Sequence, residues 1–169
     1  MRELMDSSMI YRSIKRITFE ILENNKGADN LVLVGIKTRG EFLARRIAEF
    51  IKEIEKVDIP VCSIDVSYWR DDIDKKFDII PRLQSDVKDK VVILVDDVLF
   101  KGRTTRAALD GIMQNGRAKA IKLAVLIDRG HRELPIRPDF VGKNIPTSEI
   151  ESVKVTLNEI DESDGVYII

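Results

Sequence analysis

Four short apolar runs constrain the architecture more than anything else in the chain. They are L-V-L-V-G-I (31–36), V-C-S-I-D-V (61–66), V-V-I-L-V (91–95) and I-K-L-A-V-L-I (121–127). Continuous runs of this length, rich in β-branched residues, are what strands buried on both faces look like. Helical patterns lie between them. Residues 8–25 bring Ile10, Ile14, Ile17, Ile21 and Leu22 to one face, with Ser7 or Ser8 to cap the start and Gly27 the end. Leu43, Ile47, Phe50, Ile51 and Ile54 mark a second amphipathic helix, and a third near 103–115 is ended by Gly116. Such alternation predicts an α/β fold, a central mostly parallel sheet flanked by helices.

The remaining segments are less regular. Residues 70–90 are charged, contain Pro81, and read as a long loop or a small hairpin. Residues 129–150 hold three of the five prolines and show no period. V-K-V-T-L (153–157) and V-Y-I-I (166–169) alternate weakly and read as edge strands. No repeat, linker or low-complexity stretch divides the 169 residues, so a single domain over 1–169 is expected.

Composition narrows the partners. A net charge of −1 with 34% charged residues argues against a polybasic tail and leaves room for a local basic face. The single cysteine, Cys62, sits in an apolar run; it reads as a small buried hydrophobe in a reducing compartment and excludes a disulfide framework. No apolar run approaches the roughly 18 residues of a membrane span, and the first residues lack a signal-peptide core. A cytoplasmic protein with no membrane partner is expected.

In parallel sheets ligands sit at the carboxyl ends of the strands. Three stretches with unusual chemistry fall there: G-I-K-T-R-G (35–40), D-D-V-L-F-K-G-R-T-T (96–105) and D-R-G-H-R (128–132). The second is the most telling. On this reading the chain leaves the sheet after Val95, where two adjacent carboxylates, Asp96 and Asp97, repel unless hydroxyl donors or a divalent cation compensate. A ribose presents two vicinal hydroxyls. Lys101-Gly102-Arg103-Thr104-Thr105 then leads into a helix, whose first N–H groups are unpaired and whose dipole favours an anion. Acids for a sugar and a loop for its phosphate therefore lie side by side. The spacing is neither that of a Walker A loop nor G-x-G-x-x-G.

V-I-L-V-D-D-V-L-F-K-G-R-T (92–104) resembles the phosphoribosyl pyrophosphate (PRPP) motif of type I phosphoribosyltransferases. L-V-G-I-K-T-R-G (33–40), W-R-D-D (69–72) and the long stretch L-A-V-L-I-D-R-G-H-R-E-L-P-I-R-P-D-F-V-G-K-N-I-P-T-S (123–148) resemble the PyrR family within that group. The resemblance runs in order along nearly the whole chain. It implies the type I phosphoribosyltransferase fold with a small hood region. It also implies two activities: uracil plus PRPP gives UMP plus pyrophosphate with Mg2+, and UMP or UTP promotes binding to pyrimidine-operon leader mRNA, causing transcription attenuation. A homodimer or homotetramer is implied as well.

The implied sites follow from the matched motifs. Asp96 and Asp97 hold the ribose hydroxyls, with Mg2+ carried by PRPP near them rather than on a dedicated protein site. Val98, Leu99, Phe100, Lys101, Gly102, Arg103 and Thr104 form the 5′-phosphate loop. Thr38 and Arg39 form the pyrophosphate loop, Arg70 lies in a loop closing over the site, and Asp128 and Arg129 meet the nucleobase. Arg39, Arg70, Asp96 and Asp97 make up the catalytic set. Lys15, Arg16, His131, Arg132, Arg137 and Lys143 match the RNA surface.

The chain departs from the family pattern in places. Lys101 replaces a threonine, exchanging a short hydroxyl contact for a point charge, so catalytic efficiency hangs on that position. Lys15 and Phe19 replace a threonine and a histidine on the first helix. Trp69 replaces a tyrosine and either packs the loop or serves the site. Residues 72–90 match poorly, and only Arg82 is assigned a role there. Three readings follow: a bifunctional attenuator and transferase, a regulator whose pocket only senses nucleotide, and a plain phosphoribosyltransferase.

Overall fold

The computed structural model describes residues 1–72 and 79–169. The elements are β1 (Arg2–Met5), α1 (Ser7–Asn25), β2 (Leu31–Ile36), α2 (Arg39–Glu55), β3 (Val61–Ile64), a turn of 3-10 helix (Val66–Trp69), β4 (Val91–Leu99), α3 (Arg103–Asn115), β5 (Ala120–Asp128), β6 (Phe140–Asn144), β7 (Val153–Thr156) and β8 (Gly165–Ile168). The four apolar runs become β2 to β5. With β6 they form one sheet in the order β3-β2-β4-β5-β6, with every neighbouring pair parallel. α1 and α2 cover one face through Ile10, Ile14, Ile17, Leu43 and Ile47. α3 covers the other through Ala107, Ala108 and Ile112, beside Trp69 and Val87.

Several expectations need correcting. β4 does not end at Val95: Asp96, Val98 and Leu99 still pair with Val125, Ile127 and Asp128. The acid pair therefore stands on the strand, held by its ladder, and the chain leaves the sheet four residues later than expected. α1 is capped by Asp6, whose side chain accepts from the Met9 amide at 2.8 Å, rather than by Ser7 or Ser8. At its other end Lys26 adopts the left-handed conformation, and the Gly27 amide returns to the Leu22 carbonyl. β3 stops at Ile64, because Asp65 caps the 3-10 turn through the Ser67 amide. Residues 129–150 contain a strand, β6.

The two C-terminal strands are not edges of the main sheet. β7 and β8 pair with β1 in a separate antiparallel sheet, order β1-β8-β7. This is the hood. Its inner residues Met5, Val155, Leu157 and Val166 join the α1–α2 core. Polar ties reinforce the junction. Arg46 of α2 donates to Asp164 at 2.7 and 2.8 Å and to Glu159 at 2.9 Å.

Trp69 resolves as a packing residue. It is buried, its indole N–H donates to Gln114 at 2.7 Å, and its ring lies where a Gly111 side chain would have to go. Cys62 is buried as expected, and burial pushes its thiol above the usual range.

Candidate functional site

The carboxyl ends of β2, β4 and β5 carry the three motifs. The second of them lines a cleft of about 380 Å³, whose lining includes none of Thr38, Arg39, Asp97, Leu99, Asp128 and Arg129. Arg70, Asp96, Val98, Phe100, Lys101, Gly102, Arg103 and Thr104, all expected site residues, line it. Thr105, the second hydroxyl of the loop leading into α3, also lines it; Asp71, Asp72 and Glu133 complete the lining and were assigned no role.

The acid pair is held by backbone. The Asp97 amide donates to Asp96 at 2.9 Å, and the Val98 amide donates to Asp97 at 2.7 Å. Asp96 is buried; that burial, and then the neighbouring Asp97 charge, push its carboxyl well above the ordinary range. A group in this position gains from a hydroxyl donor or a cation.

Next comes the loop expected to hold phosphate. Gly102 has φ of +93°, a left-handed conformation that only glycine takes easily, and it opens α3 without a side-chain cap. The first N–H groups of α3 are thus left for a ligand. Cations surround the loop, but the protein's own acids meet them. Arg103 lies 3.3 Å from Glu133 and 3.6 Å from Asp71. Lys101 lies 3.7 Å from Glu133, and Arg70 pairs with Asp72.

The loop expected to hold pyrophosphate sits at the start of α2. A Lys37–Thr38 cis peptide precedes the helix, and the Lys37 amide donates to Ile64 at 3.0 Å. A side chain on Gly40 would overlap the Val95 carbonyl, so glycine lets α2 begin directly against β4. Thr38 is exposed. Arg39 is turned to the hood, where it donates to both oxygens of Asp161 at 3.1 and 3.2 Å. Its Nε is buried and has no partner among the described residues. Asp161 is held below the carboxylate range by the Leu157 amide first and by Arg39 after it.

Beyond β5, Arg129 is buried and stacks on the Phe100 ring, its guanidinium carbon 3.8 Å from the centroid. It donates to the Ser148 carbonyl at 3.0 Å, and its Nε is buried without a partner among the described residues. Asp128 is engaged by Arg132 at 2.6 Å and by the Gly130 amide at 3.0 Å.

The six basic residues assigned to RNA separate into two kinds. Arg137 and Lys143 are exposed. Arg16 reaches from α1 to the carbonyls of Val141 and Gly142 on β6 and to Glu20, which brings α1 beside the strand bearing Lys143. Lys15 is half-buried, 5.9 Å over the Tyr11 ring. Arg132, by contrast, is bound inside the chain to Asp128, Ile136 and Phe100, and His131 is half-buried against the Thr147 carbonyl. Arg82 is exposed, and the part of its segment at 73–78 lies outside the described residues.

The phosphoribosyl transferase domain family matches residues 2–160. Bifunctional protein PyrR of Leuconostoc citreum is 53% identical over 99% of this chain and 98% of its own. Bifunctional protein PyrR of Staphylococcus aureus is 55% identical over the same shares. The chain belongs to the phosphoribosyl transferase family and, within it, to the PyrR group. A hypoxanthine-guanine phosphoribosyltransferase of Bacillus anthracis superposes with a TM-score of 0.75 at 19% identity, covering 100% of this chain and 98% of that one, which is a likeness of fold. Among the described residues no helix is long and apolar enough to cross a membrane.

Sequence reasoning missed Asp71, Glu133, Asp161 and Arg46. Glu133 lies inside the stretch read as basic surface, and its placement among arginines was the available signal. Asp71 lies in W-R-D-D, a matched stretch in which it was given no role; Asp161 and Arg46 are paired across more than a hundred residues, and no local pattern marks them.

Proposed function

We propose that this protein converts uracil and PRPP to UMP and pyrophosphate, and also binds pyrimidine-operon leader RNA when UMP or UTP fills the same cleft. Identity above half to bifunctional PyrR proteins over almost the whole chain carries this reading. The cleft supports it, with an acid pair on β4 and a glycine loop between that strand and α3.

In this reading Asp96 and Asp97 accept the ribose hydroxyls, which relieves the crowding of the buried Asp96. Arg103, Thr104 and the open α3 N-terminus hold the 5′-phosphate. Asp128 and Arg129 orient the base. As the bond from C1 to pyrophosphate breaks, Arg39 and Arg70 face the negative charge that develops on the leaving group; fixed charges aimed at such a point are usually the largest catalytic contribution. Magnesium carried on PRPP oxygens would lie near the carboxylates of Asp96 and Asp97. The chemistry bound magnesium supplies is charge neutralisation of pyrophosphate. Arg137, Lys143 and Lys15 supply phosphate contacts to RNA, which make affinity fall steeply with salt. A dimer or tetramer belongs to the same reading and is checked by light scattering.

A second reading has one observation in its favour. Lys101 stands in the phosphate loop and is paired with Glu133, as suits a pocket that senses nucleotide without turnover. The deciding experiment measures UMP formation from uracil, PRPP and magnesium by the wild type and by Lys101→Thr. Turnover by the wild type is expected. Silence from the wild type with activity in the variant would establish the sensor instead.

A further inference from the structure

In the phosphate loop the positive side chains are already neutralised from within. Resting on the nucleotide-binding reading above, we infer that Glu133 is an autoinhibitory counter-ion of this pocket: its carboxylate is an internal competitor that the 5′-phosphate must displace. Three observations carry this. One carboxylate oxygen faces Arg103 Nε at 3.3 Å while the other faces Lys101 Nζ at 3.7 Å, so a single acid spans both cations of the loop. Its placement is fixed by backbone, since the Glu133 amide donates to the Lys101 carbonyl at 2.9 Å. The segment is also pinned on both sides. Arg132 ties Phe100 at 3.0 Å to Ile136 at 2.8 Å, and Leu134 and Ile136 lie over Gly102.

The chemistry follows from charge. Lys101 and Arg103 around open helix N–H groups would attract almost any anion. A carboxylate of one charge, held nearby, cancels that attraction for weak ligands. A phosphate dianion carries more charge and more acceptor oxygens, and so displaces it. The ion pairs are about half exposed and individually weak, which suits a group that must let go. Glu133 thus screens the loop from weak anions and lowers its affinity for the 5′-phosphate, while a neutral nucleoside is indifferent to it.

Calorimetric titration of wild type and Glu133→Gln with UMP and with uridine, at several salt concentrations, tests this. The variant is expected to bind UMP roughly 3- to 10-fold more tightly at low salt, with uridine affinity unchanged. Its UMP affinity should also fall more steeply with salt, because phosphate then replaces solution anions rather than an internal carboxylate. Glu133→Asp should fall between the two proteins. Unchanged or weaker UMP binding by Glu133→Gln, beside normal binding by the wild type, would overturn the role of Glu133 and leave the nucleotide reading standing. UMP binding by neither protein would overturn both.

Discussion

Arg46 and Arg103 each face two carboxylates, yet the two clusters are built differently. Arg46 is only 19% exposed and meets Asp164 and Glu159 in a fork of short bonds. Its own pKa is raised, first by the Glu159 hydrogen bonds. Glu159 is lowered by the same bonds; burial pushes Asp164 up, but Arg46 and the Asn158 amide outweigh it and the net is downward. Arg103 is 49% exposed, and its contacts are long. A close, shielded fork is a fastening, here between α2 and the hood. Loose, wet pairs in a cleft hold a place that a ligand takes over. The difference separates a shielded fastening of the fold from exposed, loosely held charges in a cleft.

The largest expected effect comes from a residue that touches both uses. Arg39 begins α2 at the pyrophosphate loop and is bound to Asp161 of the hood. Arg39→Ala should lower UMP turnover by about 100-fold, while the loss of one partly exposed ion pair costs at most about 1 kcal/mol of stability. Steady-state assays beside thermal unfolding check this; near-normal turnover would remove Arg39 from the catalytic set.

Arg46→Met should do the reverse. It leaves two acids without their partner and should cost about 2–3 kcal/mol, lowering the melting temperature by roughly 5–10 °C, with little change in nucleotide affinity. Acid sharpens the contrast. Glu159, Asp161 and Asp164 have depressed pKa values, so their contribution is present above the ordinary carboxylate range. It is lost as pH falls below about 4 through the depressed values. Wild type should therefore lose stability more steeply in acid than Arg46→Met, as read by urea midpoints across pH.

Asp96 has the opposite sign. Its raised pKa means the folded state favours the protonated acid, so the contribution is present at low pH and is lost as pH rises through the raised value. Asp96→Asn should gain about 1 kcal/mol at pH 8 and nothing near pH 4, while losing activity. An equal gain at both pH values would show that charge is not the cause. The smallest effect belongs to Arg106, whose contacts to Asp71 and Asp110 are 3.7 and 3.4 Å long and exposed. Arg106→Ala should stay within about 0.5 kcal/mol.

The same division explains what could be read from the chain. β2 to β5 were legible because strands buried on both faces must be continuously apolar, and nothing else in a domain of this size needs such runs. The phosphate loop was legible because strand, acids, glycine and helix start are contiguous. β6 was not, since F-V-G-K-N has only two large apolar residues and becomes a strand through pairing with β5. R-E-L-M was equally silent, because β1 depends on β8 at the far end of the chain. Arg39 was legible as a cation but not as the partner of an acid 122 residues away. Glu133 was visible as a residue and hidden as a counter-ion, because its effect depends on a loop folding back over Gly102.

The hood has a consequence for how the protein is made. β1, residues 2–5, leaves the ribosome well before its partner β8, residues 165–168. During synthesis the parallel sheet and its phosphate loop complete while β1 still lacks its place. Asp161, the acid that meets Arg39, arrives after them. A chain whose first 150 residues are clear of the ribosome would hold every strand of the parallel sheet and none of the hood fastenings, and its Arg39 would lack Asp161. Translation thus supplies an order of assembly, floor first and roof last.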